Sequence, residues 1–320
     1  MSTPVAPFGR DVIEQLIPHR PPFLLVDEIV ERTGIRERRI AAAEEALSDL
    51  ALPAARDALA QAGVEGKDVD LVIVATVTPD MVFPSTAALV ADAIGATDAA
   101  AYDLSAGCTG FMYALAQGYG MLAGGLATRA LVIGGDLLSR ILDWDDRSTL
   151  VLFGDGVGAV VLEAVAEQGF LGFELGADGA GGKNLWLPGS GSRLFDESEK
   201  YVKMNGPEVF KFATRILVQS AEELLRKCEL TIDDVDLYIP HQANVRIIDH
   251  ATRKLGVPSE RVVINVDRYG NTSSGSIPLA MADAVADGRL APGKLVLMTG
   301  MGAGLTWGSA LMRWTMEAAA

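Results

Sequence analysis

The chain has 320 residues, 49% of them hydrophobic and 22% charged, so it is long enough to bury a large core or two packed halves. Its formal net charge of −15 argues against a nucleic acid as partner, because binding phosphates requires a basic surface. With only Cys108 and Cys228, and no apolar run long enough to span a bilayer, the sequence predicts neither disulfides nor membrane insertion and fits a reducing cytoplasm.

Residues 1–31 form an N-terminal segment without a counterpart later in the chain. Its first residues, Met-Ser-Thr-Pro, lack the basic and apolar regions of a signal peptide. We treat this segment as atypical and divide the rest of the chain into two halves, residues 32–165 and 166–320.

The two halves repeat each other. A strand-like run at 69–73 follows an amphipathic helix, and a similar run at 235–239 follows another, at an offset of 235 − 69 = 166. The runs 131–133 and 295–297 correspond at an offset of 295 − 131 = 164. A period of half the chain indicates a duplicated domain, and strands alternating with helices predict α/β layers with a mostly parallel or mixed sheet.

The first chemically informative stretch is 107–111, Gly-Cys-Thr-Gly-Phe. It follows an apolar run and precedes a long, weakly polar one, which is typical of a strand, a tight turn and a buried helix. Cys108 would then lie at a helix N-terminus, where free N–H groups and the macrodipole favour a thiolate. A buried structural cysteine is the alternative at this point. Cys228 has the surroundings of an ordinary helix residue.

Two glycine-rich stretches follow. Residues 154–158 lack the Lys-Ser/Thr of a phosphate loop and precede a strand-like run, so we interpret them as structural. Residues 181–204 are rich in turn formers and are expected to form a loop over a site. No Cys/His cluster has the spacing of metal ligands, so no metal site is predicted.

Two polar side chains of the second half occupy positions like that of the cysteine. His241 and Asn271 each follow a predicted strand (237–240 and 262–266) and precede a predicted helix, and ligands of open α/β sheets bind beyond the carboxyl ends of strands. A thiol with an imidazole and an amide can perform acyl transfer through a covalent thioester. Backbone N–H groups of 302–304 could face an oxyanion. His250, within a predicted helix, is interpreted as structural.

Six motifs, spread in order between residues 31 and 314, resemble those of the β-ketoacyl-acyl-carrier-protein synthase III family: 32–38, 103–111, 153–156, 240–244, 270–278 and 304–308. The resemblance implies a duplicated thiolase-like fold, layered αβαβα, with two pseudo-symmetric halves. It implies a decarboxylating Claisen condensation of an acyl-CoA primer with malonyl-acyl carrier protein, which gives the β-ketoacyl product that initiates fatty-acid synthesis.

The resemblance also implies roles for single residues. Cys108 would carry the acyl group, His241 and Asn271 would hold the malonyl thioester oxygen and the enolate, and the N–H groups of Cys108 and Ala303 would form the other oxyanion hole. No cofactor is implied beyond acyl-CoA as substrate. Phe83 matches the residue that closes the acyl pocket of a partner subunit, so a homodimer is implied. The implied CoA and acyl contacts are Arg32, Phe83, Arg147, Phe153, Met204, Phe210, Ala243 and Asn244, and the implied carrier-protein patch comprises Lys211, Arg246, Arg253 and Lys254.

The N-terminal segment departs from the family. Glu28 stands where the family has a Trp that stacks on the CoA adenine opposite Arg147. Residues 13–27 instead resemble the start of a 3-hydroxyacyl-acyl-carrier-protein dehydratase, with His19 in the place of its catalytic histidine, but the Gly-His-Phe-Pro motif of that enzyme is missing. Two alternatives to the condensing enzyme stay open: a polyketide-pathway relative that moves the acyl group to an alcohol or amine, and a non-catalytic interaction subunit.

Overall fold

The computed structural model of the protein describes residues 26–165 and 169–315. His19 and the rest of the dehydratase-like stretch before Val26 lie outside the described residues. The first described element is helix α1, Val26–Thr33, which crosses the boundary that the sequence placed after residue 31.

The first half forms a four-stranded sheet in the order β2-β1-β3-β4. Strands β1 to β3 are parallel and β4 pairs with β3 in the antiparallel sense. Its elements are α2 (Leu47–Ala62), β1 (Leu71–Ala75), α3 (Thr86–Ile94), β2 (Ala100–Leu104), α4 (Gly110–Ala123), β3 (Arg129–Leu137), α5 (Arg147–Leu150) and β4 (Asp155–Glu163).

The second half forms a sheet in the order β10-β11-β12-β5, of which only the pair β10 and β11 is parallel. Two small antiparallel pairs, β6 with β9 and β7 with β8, lie within the segment 181–204. The elements are β5 (Gly169–Ala177), β6 (Leu185–Trp186), β7 (Ser190–Gly191), β8 (Leu194–Phe195), β9 (Lys203–Met204), α6 (Gly206–Lys227), β10 (Leu237–Pro240), α7 (Val245–Leu255), α8 (Val266–Tyr269), α9 (Ser276–Ala286), β11 (Leu295–Gly302) and β12 (Thr306–Arg313).

The layers are those of the predicted αβαβα fold. Every residue of β1 is buried, because successive side chains face opposite sides of a sheet that is covered on both. Ile73 packs in the central core against Phe111 of α4 and Ile277 of α9, whereas Val72 packs in the outer core with Leu59 of α2. Helices α6 and α7 cover the outer face of the second sheet. The two sheets therefore enclose α4 and α9, the helices that follow Cys108 and Asn271.

The predicted repeat is present, with one difference. Strands β1, β3 and β4 correspond to β10, β11 and β12, and helices lie between the first two strands of each set. The strand predicted at 262–266 is wrong: Val262 makes only a single bridge to Tyr238, and Val266 already begins α8. The two amide hydrogen bonds that the Gln242 side chain accepts at Asn265 and Val266 replace strand pairing there.

Candidate active site

The turn that carries Cys108 has the predicted form. A short 3-10 turn, Gly107–Thr109, follows β2 and leads directly into α4, so Cys108 is buried at the start of the helix. Gly107 has φ +56°, and a Cβ there would lie 2.9 Å from the Ala303 carbonyl oxygen. A Cβ at Gly302 would lie 2.6 Å from the Cys108 nitrogen. Two glycines thus allow the end of β11 to approach the nucleophile turn closely.

The oxyanion-hole geometry predicted for Cys108 and Ala303 rests on that close approach. The backbone N–H groups of both residues face the Cys108 sulfur, where each lowers the pKa of the thiol. Burial nevertheless dominates and raises the pKa of Cys108 to about 11. The expectation that the helix end alone would favour a thiolate is therefore wrong for the resting protein, because the helix N-terminus is buried in an apolar core and a charged sulfur there is poorly solvated.

His241 follows β10 directly and is fixed on both sides. Its backbone N–H donates to the Thr299 carbonyl of the neighbouring strand at 2.7 Å, and its Nδ1 lies 2.5 Å from the Ser276 hydroxyl. Burial lowers the pKa of His241 to about 4, so the imidazole is neutral at neutral pH. When the Ser276 hydroxyl donates to Nδ1, the proton of the ring is on Nε2.

Nε2 of His241 is a buried polar atom without a hydrogen-bond partner among the described residues. An unpartnered buried N–H costs free energy, and such atoms occur where a ligand supplies the partner. His241 is therefore placed to donate a hydrogen bond to a bound substrate atom.

Asn271 is oriented by its own turn. Its Oδ1 accepts the Ser273 N–H at 2.9 Å, and its backbone N–H donates to the Leu152 carbonyl at 2.9 Å. Because the carbonyl oxygen of the amide is used locally, Nδ2 is the end left to donate outward. Arg38 supports the segment between α5 and β4 by donating to the carbonyls of Leu150 and Phe153.

These side chains meet in one cavity of about 240 Å³. Eight of the predicted site residues line it: Cys108, Phe153, Met204, Phe210, His241, Ala243, Asn244 and Asn271. The cavity is also lined by residues that the sequence analysis did not name, among them Leu185, Val209, Ile247 and Met301. They had no signal in the sequence beyond being apolar. A larger cavity of about 990 Å³ lies along β4 and has no cysteine or histidine among its described lining residues.

Three predicted substrate contacts lie outside this cavity. Arg32, on α1, pairs with Glu28 at 2.8 Å, and Arg147 begins α5, next to the cavity-lining Ser148. Phe83 is 82% exposed on a loop with Val82, which is 91% exposed. The structure thus places these three at the surface, where a long substrate or a second chain could reach them. Asn244, by contrast, caps α7 by accepting the Arg246 N–H.

The four residues of the predicted carrier-protein patch lie on two neighbouring helices. Lys211 is on α6 and the other three are on α7, and these helices pack against each other. All four are exposed, and within the described part of the chain none forms an ion pair with an acidic side chain. Their positive charges are therefore available to an acidic partner. The four residues are Lys211, Arg246, Arg253 and Lys254.

Residues 26–165 and 169–315 contain no group of three or more His, Cys, Asp or Glu placed to hold a metal ion. Within the same ranges, no helix is long and apolar enough to cross a membrane.

Comparison with known proteins gives a consistent result. Residues 102–179 match the family 3-oxoacyl-[acyl-carrier-protein] synthase III, and residues 225–314 match the C-terminal family of the same enzyme. The chain is 54% identical over 290 residues to a β-ketoacyl-[acyl-carrier-protein] synthase III of Symbiobacterium thermophilum, covering 88% of each chain. It is 46% identical over 319 residues to such a synthase of Bacillus anthracis, covering 98% of this chain and 99% of the relative.

A solved structure of the synthase III of Thermus thermophilus is 51% identical to this chain. The two superpose with a TM-score of 0.87, and the match covers 92% of each chain. The alignment with the Bacillus anthracis synthase leaves out about 2% of the 320 residues, roughly six. It therefore extends into the first 25 residues, which precede the described part of the chain.

Proposed function

The chain belongs to the β-ketoacyl-acyl-carrier-protein synthase III family, and from that premise we propose how its own residues perform the reaction. The enzyme is an acyltransferase that initiates fatty-acid synthesis by condensing an acyl primer with a malonyl group on acyl carrier protein. The observation that carries the assignment of residues is the cavity that Cys108, His241 and Asn271 line together.

In the first half-reaction, the Cys108 sulfur attacks the carbonyl carbon of acyl-CoA and the thiol of CoA leaves. The N–H groups of Cys108 and Ala303 hold the negative charge that develops on the carbonyl oxygen. These two groups belong to backbone fixed by the contact of Gly107 with Ala303, so they are in place before the substrate arrives.

In the second half-reaction, the malonyl thioester oxygen lies between His241 Nε2 and Asn271 Nδ2. Both donors are held by bonds on their other side, so little reorganisation accompanies the loss of CO₂ and the formation of the enolate. The enolate carbon then attacks the acyl-Cys108 carbonyl, and the Cys108 sulfur leaves. A neutral His241 suits this role because it donates without carrying a charge into the cavity.

The patch on α6 and α7 is proposed to dock the acidic carrier protein.

The exposed loop at Met81, Val82 and Phe83 is proposed to cover the cavity of a second copy in a homodimer. The dimer is tested by light scattering of the wild type and Phe83→Asp. The free thiols of Cys108 and Cys228 accord with a reducing compartment such as the cytoplasm.

The proposed chemistry is tested by mass spectrometry after incubation with acetyl-CoA, followed by addition of malonyl-acyl carrier protein. We expect one acetyl group on the Cys108 peptide and then a β-ketoacyl carrier protein. No adduct would favour a non-catalytic interaction subunit. An adduct that moves only to an alcohol or amine would favour the acyltransferase alternative.

A further inference from the structure

A buried carboxylate on β3 has no role in the chemistry described so far. Asp136 is fully buried. Its Oδ1 accepts hydrogen bonds from the Thr76 hydroxyl at 2.9 Å, the Val77 N–H at 2.7 Å and the Thr78 hydroxyl at 3.1 Å. These donors directly follow β1, so the end of that strand holds one oxygen of the carboxylate. The other oxygen, Oδ2, contacts a residue of the second half.

Ser274 is the residue that Oδ2 contacts. Oδ2 accepts the Ser274 N–H at 3.3 Å and lies 3.0 Å from the Ser274 hydroxyl. The same hydroxyl lies 2.7 Å from the carbonyl oxygen of Ala75, the last residue of β1. Ser274 is itself buried and belongs to the turn Ser273–Gly275. Its side chain therefore ties a turn of the second half to two strands of the first half, β1 and β3.

The turn Ser273–Gly275 packs directly on the first sheet. A Cβ at Gly134 of β3 would lie 2.4 Å from the Ser274 carbonyl oxygen, and a Cβ at Gly275 would lie 2.4 Å from the carbonyl oxygen of Gly156 in β4. Both distances are too short for a side chain, so this approach requires glycine at both positions. Backbone contacts thus bring the turn to the sheet, and the Asp136 carboxylate supplies hydrogen bonding between them.

The same turn orients the amide of the candidate active site. Asn271 Oδ1 accepts the Ser273 N–H at 2.9 Å, which leaves Nδ2 to donate outward. The backbone at Ser273 has φ +52°, a left-handed conformation that is unfavourable for a residue other than glycine. Such a conformation persists only where surrounding contacts hold it, and the next residue, Ser274, makes contacts of this kind.

We propose that Asp136 and Ser274 are positioning residues for Asn271, an inference that rests on the function proposed above. The end of β1 fixes Asp136, Asp136 holds Ser274, and Ser274 holds the turn whose Ser273 N–H orients the Asn271 amide. Neither Asp136 nor Ser274 is among the described residues that line the cavity at Cys108. They act in the second half-reaction through Asn271, so the first half of the chain contributes to the donor geometry of the second.

The first test removes the Ser274 hydroxyl. Ser274→Ala keeps the N–H groups of the turn and loses the side-chain contacts to Asp136 and Ala75. We expect kcat for decarboxylation of malonyl-acyl carrier protein to fall by about tenfold, as for loss of a buried hydrogen bond, while its KM and the acetylation rate of Cys108 change by less than about twofold. The control Ser309→Ala removes another buried serine bond of the second half and should leave all of these quantities unchanged.

The second test asks whether Ser274 acts through Asn271. A residue that only positions the Asn271 amide has nothing left to position once that amide is gone, so Ser274→Ala should cause no further loss of decarboxylation in the Asn271→Ala background. A general structural role predicts the same relative loss in both backgrounds. Thermal melts of each variant establish that the compared proteins are folded.

The third test addresses the other end of the link. Thr76→Val removes one donor to Asp136 Oδ1 with little change in side-chain shape. We expect a loss in kcat for decarboxylation of about two- to fivefold, which should likewise disappear in the Asn271→Ala background. This variant replaces Asp136→Ala, because removing the carboxylate leaves several buried donors without an acceptor and endangers folding.

Wild-type kcat in Ser274→Ala or in Thr76→Val would overturn the proposal, and so would an equal relative loss with and without the Asn271 amide. An acetylation rate that falls as far as decarboxylation would also overturn it, because the two residues would then act on Cys108 as well. A wild type that neither takes an acetyl group nor decarboxylates malonyl-acyl carrier protein would refute the proposed function and is distinguishable from every outcome above.

Discussion

The junction at Cys108 and the junctions at His241 and Asn271 occupy related places in the two halves but offer different groups. The first half supplies a sulfur and the Cys108 N–H at a 3-10 turn that leads into α4, and the second half adds the Ala303 N–H beside them. The second half supplies two side-chain donors, each held by a serine, Ser276 for His241 and Ser273 for Asn271. The two halves share one framework, and in the proposed mechanism the nucleophile comes from the first half and both side-chain donors to the malonyl thioester come from the second. Side-chain variants of Cys108 and of the two donors should therefore damage the two half-reactions separately.

The largest effect is expected at the nucleophile. Cys108→Ser should abolish the acyl adduct, because a serine hydroxyl at this buried position is far less nucleophilic than a thiol. Decarboxylation of the malonyl thioester should persist, since its donors are in the other half. Mass spectrometry of the acetyl-CoA reaction measures the first effect, and Cys228→Ser, which changes the half-buried cysteine, is the matched control and should keep the adduct. An adduct on Cys108→Ser at the wild-type rate would contradict the assignment.

A large effect is expected next at the two donors. His241→Ala and Asn271→Ala should each lower decarboxylation and condensation by about 10²–10³-fold, the usual effect of removing one oxyanion-type donor, while acylation stays measurable. His250→Ala, within α7, serves as the histidine control. Complete loss of acylation in His241→Ala would identify His241 as the base for Cys108 and would remove the distinction between the two halves.

A smaller effect is expected from Ser276→Ala. Without this hydroxyl, the His241 ring can carry its proton on Nδ1, and the hydrogen bond that favours the Nε2–H form is worth about 0.5–1.5 kcal/mol. Decarboxylation should fall by up to about tenfold without a change in acylation. Ser309→Ala removes another buried serine bond, to Ser220, and controls for stability in a thermal melt. Equal decarboxylation in both variants would show that Ser276 does not set the tautomer.

Charge reversal on the surface of the second half should affect only the half-reaction that uses malonyl-acyl carrier protein. Lys211→Glu combined with Arg246→Glu reverses two charges of the proposed patch and should raise KM for malonyl-acyl carrier protein, less so at high salt, with acylation by acetyl-CoA almost unaffected. The control reverses Arg226 and Lys227 at the other end of α6, for the same change in net charge. Equal damage to both half-reactions would argue against docking at this patch.

The smallest effect concerns pH. Because burial lowers the pKa of His241 to about 4, the ring stays neutral as the pH falls through the ordinary histidine range, and its role is lost only on approach to its own lower pKa. The rate of malonyl decarboxylation should therefore show no inflection near pH 6.5. A decline with an apparent pKa near 6.5 that is absent from His241→Ala would show that the ring is charged in the working enzyme.

The sequence was most informative about local elements and least about contacts between them. The strand, turn and helix at Cys108 and the helices after His241 and Asn271 were predicted, because apolar periodicity and glycine position are local signals. The strand expected at 262–266 was wrong, since the Gln242 side chain takes the place of strand pairing there.

The sequence by itself determined which reactive side chains the chain carries, Cys108, His241 and Asn271, and which motifs surround them. It also determined the duplicated order of strands and helices. The tertiary structure alone decided how those residues behave. Packing of the turn Gly107–Thr109 against Ser273–Gly275, more than 160 residues away, buries the thiol, and this burial raises its pKa. The tautomer of His241 depends in the same way on Ser276, 35 residues further along the chain. Ionisation and hydrogen bonding depend on local solvation and distance, and both are fixed only when the two halves pack together.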